Sequence, residues 1–284
     1  MKIDKYIKIV TGVYILTCIF WLIFIIYTKH SGLYEGPMFE YVLKPFLVGM
    51  TILPIIGGYF GVKKADVWGG LKSAVGRGMI FISLGTVSWG FGMVVWNYYL
   101  FSQNIEVPYP SLADLFFILI WVFWTYGMSQ LGNVSGMKIG FKNHWKRIIV
   151  FIIPPIVILI SYYLLLVIPK EGIDLTGSFL QRVLSFLYPI GDMTILSIAI
   201  LVFTLSYKIL GGRFKNQIIL LLSCFVLNYI ADFIFVLTTS GESPSYFNGH
   251  FVDFMYTTIM FLVTFGVLLI DPLRLSEDPS PNSK

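Results

Sequence analysis

Apolar residues recur along this chain in runs of about 20 residues, separated by short segments that hold most of the charged side chains. When such a run is helical, it spans the hydrocarbon core of a bilayer, which is roughly 30 Å thick. The runs lie at about 7–28, 42–62, 78–101, 112–132, 147–168, 180–208, 217–239 and 251–270. The pattern therefore predicts an all-α, polytopic membrane protein with eight transmembrane helices.

Composition supports a membrane protein rather than a soluble domain. Of 284 residues, 57% are apolar and 12% are charged, whereas about a quarter are charged in soluble domains. The first run follows a short basic segment, as in a signal peptide, but its apolar part is too long and no small-residue cleavage site follows it. We therefore expect the first helix to remain in a multi-pass protein of the cell membrane.

The net charge of +5 is informative because the positively charged residues are unevenly distributed between the two sides of the predicted membrane protein. With an even number of spans, both termini lie on one side of the membrane, and 16 of the 20 lysines and arginines fall on that side. The other side has Lys29, Lys44, Lys170 and Arg182. The positive-inside rule then predicts cytoplasmic termini. The basic excess indicates topology and contact with the lipid bilayer, and it gives no reason to expect nucleic-acid binding.

The two halves of the chain are similar at a nearly constant offset of 135 to 139 positions. The matching pairs are Pro54 and Pro189, Trp96 and Asp232, and Asp114 and Asp253. An offset of this kind predicts two parallel four-helix repeats, at about 1–135 and 136–270, within a single membrane domain 1–270. The polar segment 271–284 is predicted to be a disordered cytoplasmic tail.

Two acidic residues interrupt the apolar runs of the second half. Asp192 ends the segment Tyr188-Pro189-Ile190-Gly191-Asp192, and Asp232 follows Asn228 by one helical turn, on the same helix face. A charged side chain costs about 2.5–3.5 kcal/mol at the centre of an inserted helix, so each acid needs a partner or a function. We expect both to line one outward-facing pocket. The alternative is that each is protonated or hydrogen-bonded across helices and has only a structural role.

Polar and aromatic residues at the outer ends of the helices complete this predicted pocket. Ser111 and Asp114 have the spacing of a capping box, and capping also explains the spacing of His250 and Asp253. The predicted ligand-binding residues are Asp192, Asp232, Asn228, Asp253, Asp114, Asn97, Trp96 and His250. Such an acidic and aromatic mouth suits a cation, a cationic lipid head or a proton.

The sequence gives little support for metal or redox chemistry. It contains three histidines and two cysteines, and Cys18 and Cys224 lie in the middle of predicted helices without the spacing of a metal site or a disulfide. We assign no catalytic and no metal-binding residue, and the sequence does not indicate which cofactor, if any, the protein binds.

Several of these segments are similar to a known family. The segments Pro108 to Phe116, Tyr188 to Asp192, and Ala231-Asp232 followed by Gly249 and Asp253 resemble the eight-helix membrane domain found at the front of many bacterial and archaeal GGDEF, EAL and histidine-kinase proteins. The resemblance implies a sensory input domain. No output domain follows in this sequence, so it also implies a cytoplasmic signalling partner that is encoded separately.

The predicted function is therefore a sensory or ligand-binding module, which could also form homo-oligomers. A transporter of small solutes or ions is an alternative, because parallel repeats and intramembrane acids are features of transporters. An intramembrane hydrolase is a third class, either with paired aspartates or with a metal held by His250 and the acids. The Gly-x-Gly-Asp signature of paired-aspartate proteases is incomplete here, so we expect a non-enzymatic protein.

Overall fold

The computed structural model describes residues 4–31, 39–135, 137, 144–168, 177–206, 215–239 and 245–271. These residues form helices and contain no strand. The helices are α1 Lys5–Ser31, α2 Lys44–Ala65, α3 Ala74–Tyr98, α4 Leu112–Val134, α5 His144–Tyr162, α6 Phe179–Ser206, α7 Lys215–Thr239 and α8 Phe251–Leu268. The all-α class and the eight helices are confirmed, and each helix matches one of the apolar runs.

Seven of the helices in the described part of the chain are long and apolar enough to cross a membrane. The apolar part of α5, Ile148–Tyr162, is shorter, and the π-helical turn Tyr163–Val167 continues it with further apolar residues. The described helices are those of a multi-pass membrane protein. The predicted tail lies outside the described residues, apart from Asp271.

Helix α3 packs against both of its neighbours in the chain, α2 and α4. Gly78, Gly85 and Gly92 repeat every seven residues, so they lie on one face of α3. A Cβ at any of them would overlap a side chain of α4, which shows how closely the two helices approach. Small residues at a contact have this effect in membrane helices.

Helix α8 packs against four other helices, α1, α2, α3 and α7. Trp21 of α1 stacks on Phe254 with ring centroids 4.2 Å apart, and its indole N–H donates to the carbonyl oxygen of Gly249 at 3.0 Å. Helix α6 packs against α4, α5 and α7. The two-repeat organisation stays a prediction.

Lys64, near the end of α2, joins both ends of the described chain. Its ammonium group pairs with the carboxylate of Asp4, which precedes α1. It also pairs with Asp271, which follows α8, at a distance of 2.8 Å. Lys64 is only 6% exposed. Close by, the indole N–H of Trp68 donates to the carbonyl oxygen of Ile270 at 2.9 Å. The ends of α1, α2 and α8 thus meet around one buried cation.

Candidate ligand-binding site

The two intramembrane acids meet inside the helix bundle. The carboxyl groups of Asp192 on α6 and Asp232 on α7 lie within hydrogen-bonding reach of each other. Asp192 is only 5% exposed, and Asp232 is half-buried. The expectation that the two acids face each other across helices six and seven agrees with this geometry.

Neutral hydrogen-bond donors surround the two acids. The hydroxyl of Tyr256, on α8, donates to Asp232 Oδ1 at 2.7 Å, and Asn228 Nδ2 donates to Asp232 Oδ2 at 2.6 Å. The indole of Trp121, on α4, lies within hydrogen-bonding reach of the Asp192 carboxyl. We call these five residues the acid cluster. Four helices, α4, α6, α7 and α8, therefore converge on it.

Within the described part of the chain, no basic side chain pairs with the acid cluster. Among the described residues, ion pairs involve Lys44 and Lys64, and neither lysine contacts Asp192 or Asp232. Asp192 Oδ1 is buried, and no N–H or O–H group of the described residues donates a hydrogen bond to this oxygen. A buried carboxylate is costly unless a positive charge or hydrogen bonds compensate it. A bound cation would supply this positive charge at the acid cluster.

The sequence beside Asp192 explains how α4 reaches the cluster. A Cβ at Gly191 would overlap the indole of Trp121, so only glycine allows this close approach of α4 to α6. Trp121 also meets Tyr188 edge to face, with ring centroids 5.1 Å apart. Tyr188 and Asp192 are one turn apart on the same helix face. The segment Tyr188–Asp192 is thus the surface of α6 that receives α4.

Asp114 is a helix cap that also ties two helices together. Its Oδ2 accepts from the backbone N–H of Ser111 at 2.6 Å, and the Ser111 hydroxyl oxygen accepts from the backbone N–H of Ala113 at 3.2 Å. This is the predicted capping box. In addition, the Tyr188 hydroxyl donates to Asp114 Oδ1 at 2.5 Å. Asp114 is therefore connected to the acid cluster through Tyr188 rather than belonging to it.

Asp253 occupies the corresponding place at the start of α8. Its carboxyl accepts from the backbone N–H of Gly249 at 2.7 Å and from the Tyr246 hydroxyl at 3.1 Å. Gly249 has a φ of +91° and a Cβ there would overlap Phe24, so this turn requires glycine. Burial raises the pKa of Tyr246 well above its usual range, and the nearby Asp253 carboxyl adds to this. Tyr246 therefore stays a neutral donor.

His250 is the N-cap of α8. Its Nδ1 accepts from the backbone N–H of Val252 at 3.3 Å, so this nitrogen carries no proton in the capped state. Partial burial lowers the pKa of His250. The described part of the chain contains no group of three or more His, Cys, Asp or Glu side chains that could hold a metal ion.

Asn97 and Trp96 do not reach the acid cluster. Asn97 is buried against α2, where its amide donates to Thr51 Oγ1 at 2.8 Å and to the carbonyl oxygen of Leu47 at 3.2 Å. The Trp96 indole N–H donates to Asn248 Oδ1 at 3.0 Å. Of the predicted residues, the structure brings together Asp192, Asp232 and Asn228, while Asp114, Asp253, His250, Asn97 and Trp96 lie in separate hydrogen-bonded groups.

Sequence reasoning missed three residues that contact the acids or their neighbours. Trp121 follows Asp114 by seven residues, Tyr256 follows Asp253 by three, and Tyr188 precedes Asp192 by four. Each spacing puts the ring on the same helix face as a predicted acid. Helical periodicity starting from each acid would have found them.

Comparison with known proteins gives no match to a protein family, to a curated protein or to a solved structure. What the fold and the site define is thus a class, a multi-pass α-helical membrane protein with a pair of aspartates inside the helix bundle. The resemblance to the eight-helix sensory domain stays a prediction.

Proposed function

We propose that this protein is a ligand-binding sensory module of the cell membrane, with cytoplasmic termini and a cationic ligand bound at the acid cluster. The observation that carries the proposal is the convergence of four helices on two acids, Asp192 buried and Asp232 half-buried, that have no basic partner among the described residues. A positively charged ligand would compensate the charge of Asp192 and Asp232 and would draw α6 and α7 toward the donors on α4 and α8.

Contacts at the other end of the bundle support a response to ligand binding. Tyr256 links the cluster to α8, and the residues that follow α8 contact α2 and the turn after it, through Asp271 and Ile270. A small shift of α8 would therefore reach the segment between α2 and α3. A ligand changes such an equilibrium only if it binds the two arrangements with different affinity.

Hydrogen exchange of the purified protein in nanodiscs tests this proposal. We expect a change of buffer cation, using alkali ions, tetramethylammonium and protons in turn, to alter amide exchange in Asp66–Lys72, once the direct effect of pH on the chemical exchange rate has been subtracted. The effect should disappear when Asp192 and Asp232 are both replaced by Asn. If no cation alters exchange in the wild type, or if the double variant responds like the wild type, the proposal is wrong and the acids have only a structural role.

A paired-aspartate hydrolase is the second candidate, because the carboxyl groups of neighbouring membrane helices interact directly. Two acids in such contact share a proton and activate water in aspartic proteases. This candidate requires that either Asp→Asn variant alone abolishes cleavage of a membrane-embedded peptide library. A cation-binding module requires no turnover in the wild type. Counterflow of alkali ions in proteoliposomes separately tests the transporter alternative.

A further inference from the structure

The space around the acid cluster restricts what can bind there. Asp192 is 5% exposed, and a single methyl group added at Gly191 would overlap Trp121. An organic ammonium ion carries carbon substituents on its nitrogen, so it is larger than a methyl group and would have to separate α4 from α6. A single ion with its hydration shell removed needs far less room.

The available ligands are all oxygen atoms. Asp192 Oδ1 is buried and accepts no hydrogen bond from the described residues, and the carboxyl of Asp232 lies beside Asp192. The Tyr256 hydroxyl donates its proton to Asp232, so the lone pairs of its oxygen are available to a further partner. Oxygen ligands suit hard cations such as alkali and alkaline-earth ions.

The small number of acidic side chains then favours a monovalent ion. Ca²⁺ takes six to eight oxygen ligands and is often held by several carboxylates. Only two acids meet here, and the described residues contain no group of three acidic or other metal-binding side chains. Both oxygens of Asp232 already accept hydrogen bonds from Tyr256 and Asn228. The ligands that remain for an ion are therefore one carboxylate oxygen and the uncharged oxygen atoms near it.

We propose that the acid cluster is a site for one small, dehydrated monovalent cation such as Na⁺, held by Asp192 Oδ1 with Asp232 and displaced by a proton. This inference rests on the proposed function and specifies the class of ligand. Among the described residues, the titratable groups facing the pair are Tyr188 on α6, Tyr229 on α7, Tyr256 on α8 and, through Tyr188, Asp114 at the start of α4.

Thermal unfolding of the purified full-length protein tests the inference. The melting temperature is measured in NaCl, LiCl and KCl against choline chloride at constant ionic strength, at pH 8 and at pH 5. A ligand that binds only the folded state raises the melting temperature in a concentration-dependent way. We expect a saturable rise of a few degrees with one alkali ion at pH 8, and a clearly weaker rise at pH 5, where protons compete.

The matched variants are Asp192→Asn and Asp66→Asn. Asp66 is an exposed acid in the turn after α2, so its variant should keep the full response, whereas Asp192→Asn should lose the saturable part. Equal responses of both variants, or no alkali-specific rise in the wild type, would overturn the inference. If tetramethylammonium or protons alter hydrogen exchange while no alkali ion has an effect, this inference fails and the proposed function stands.

Discussion

At the scale of single residues, one glycine controls the access of α4 to the acid cluster. Gly191 lies directly against the indole of Trp121, whereas Gly12, in the exposed part of α1, has no atom near the position of a Cβ. The two glycines have the same intrinsic cost in a helix, so a pair of variants isolates the effect of packing.

We expect Gly191→Ala to lower the melting temperature and to weaken any cation response, because the added methyl group displaces Trp121 from Asp192. Overpacking of this kind typically costs about 1–3 kcal/mol. Gly12→Ala should be neutral or slightly stabilising, since alanine is favoured over glycine in a helix by about 1 kcal/mol. Thermal unfolding of both variants provides the measurement. Equal behaviour would contradict the close packing at Gly191.

His250 gives a second prediction at this scale, on pH dependence. Because burial lowers its pKa in the folded state, the unfolded state binds the proton more tightly. The contribution of His250 to stability is therefore full above its ordinary pKa of about 6.5 and is lost as the pH falls below that value, through the lowered pKa of the folded state.

The variant His250→Asn keeps a good N-cap but removes the titration. Between pH 8 and pH 5, we expect the melting temperature of this variant to fall by less than that of the wild type. His144→Asn, at the exposed start of α5, serves as the control and should follow the wild type. A His250→Asn profile that parallels the wild type would mean that protonation leaves the cap intact.

At the scale of helices, the start of α4 is attached to α6 by one hydrogen bond. Tyr188 donates to Asp114, which already caps α4. Hydrogen bonds to charged groups contribute about 1.5–3 kcal/mol. We expect Tyr188→Phe to lower the free energy of unfolding by an amount in this range. Tyr98→Phe, at an exposed ring, should change it by less than about 0.5 kcal/mol.

A double-mutant cycle separates this bond from the capping box. Tyr188→Phe should have little further effect once Asp114 has been replaced by Ala, because the acceptor is already gone. Additive effects of the two replacements would show that the two side chains act independently. Ser111→Ala, in contrast, should cost about 1 kcal/mol both in the wild type and in the Tyr188→Phe variant, since it removes a cap and not the link to α6.

The positions of the helices could be predicted from sequence, whereas their rotations could not. The position and length of each apolar run predict where a helix begins and ends, and all eight runs match helices. The cost of an intramembrane charge also predicts that Asp192 and Asp232 meet. Asn97 was expected at the mouth of the pocket, but it binds Thr51 instead. The reason is that the glycine face of α3 packs on α4 and sets the rotation of the whole helix.

At the scale of the whole molecule, the distribution of lysine and arginine predicts the orientation of the bundle. Single cysteines at Ser102 and Ser243 should react with an impermeant maleimide added outside, with the native cysteines replaced. Ser135 is a poor inner reporter, because it is buried and would not react on either side. Val67, which is 64% exposed, is suitable, and a cysteine there should stay unlabelled until the membrane is permeabilised. The reverse pattern would contradict cytoplasmic termini.

The buried Lys64 gives a second prediction for the whole molecule. Replacing it by Met leaves Asp4 and Asp271 without their shared cation, and breaking a buried ion pair costs about 3–5 kcal/mol. Because both acids are partly exposed, we expect a loss toward the lower end. Lys63→Met, one residue earlier and over the exposed Tyr59 ring, is the matched control for thermal unfolding. Similar losses in both variants would show that the three-way contact contributes nothing.

Asp4 and Asp271 both pair with Lys64, so the two ends of the described chain lie close together. The helices could therefore be connected in a different order along the chain while keeping their arrangement in space. A short linker from residue 271 to residue 4 would close the backbone into a ring without moving either end far. The ring could then be opened between α4 and α5, on the same predicted side of the membrane. Each half would keep an even number of crossings, so the rearranged chain could insert with every helix in its original direction.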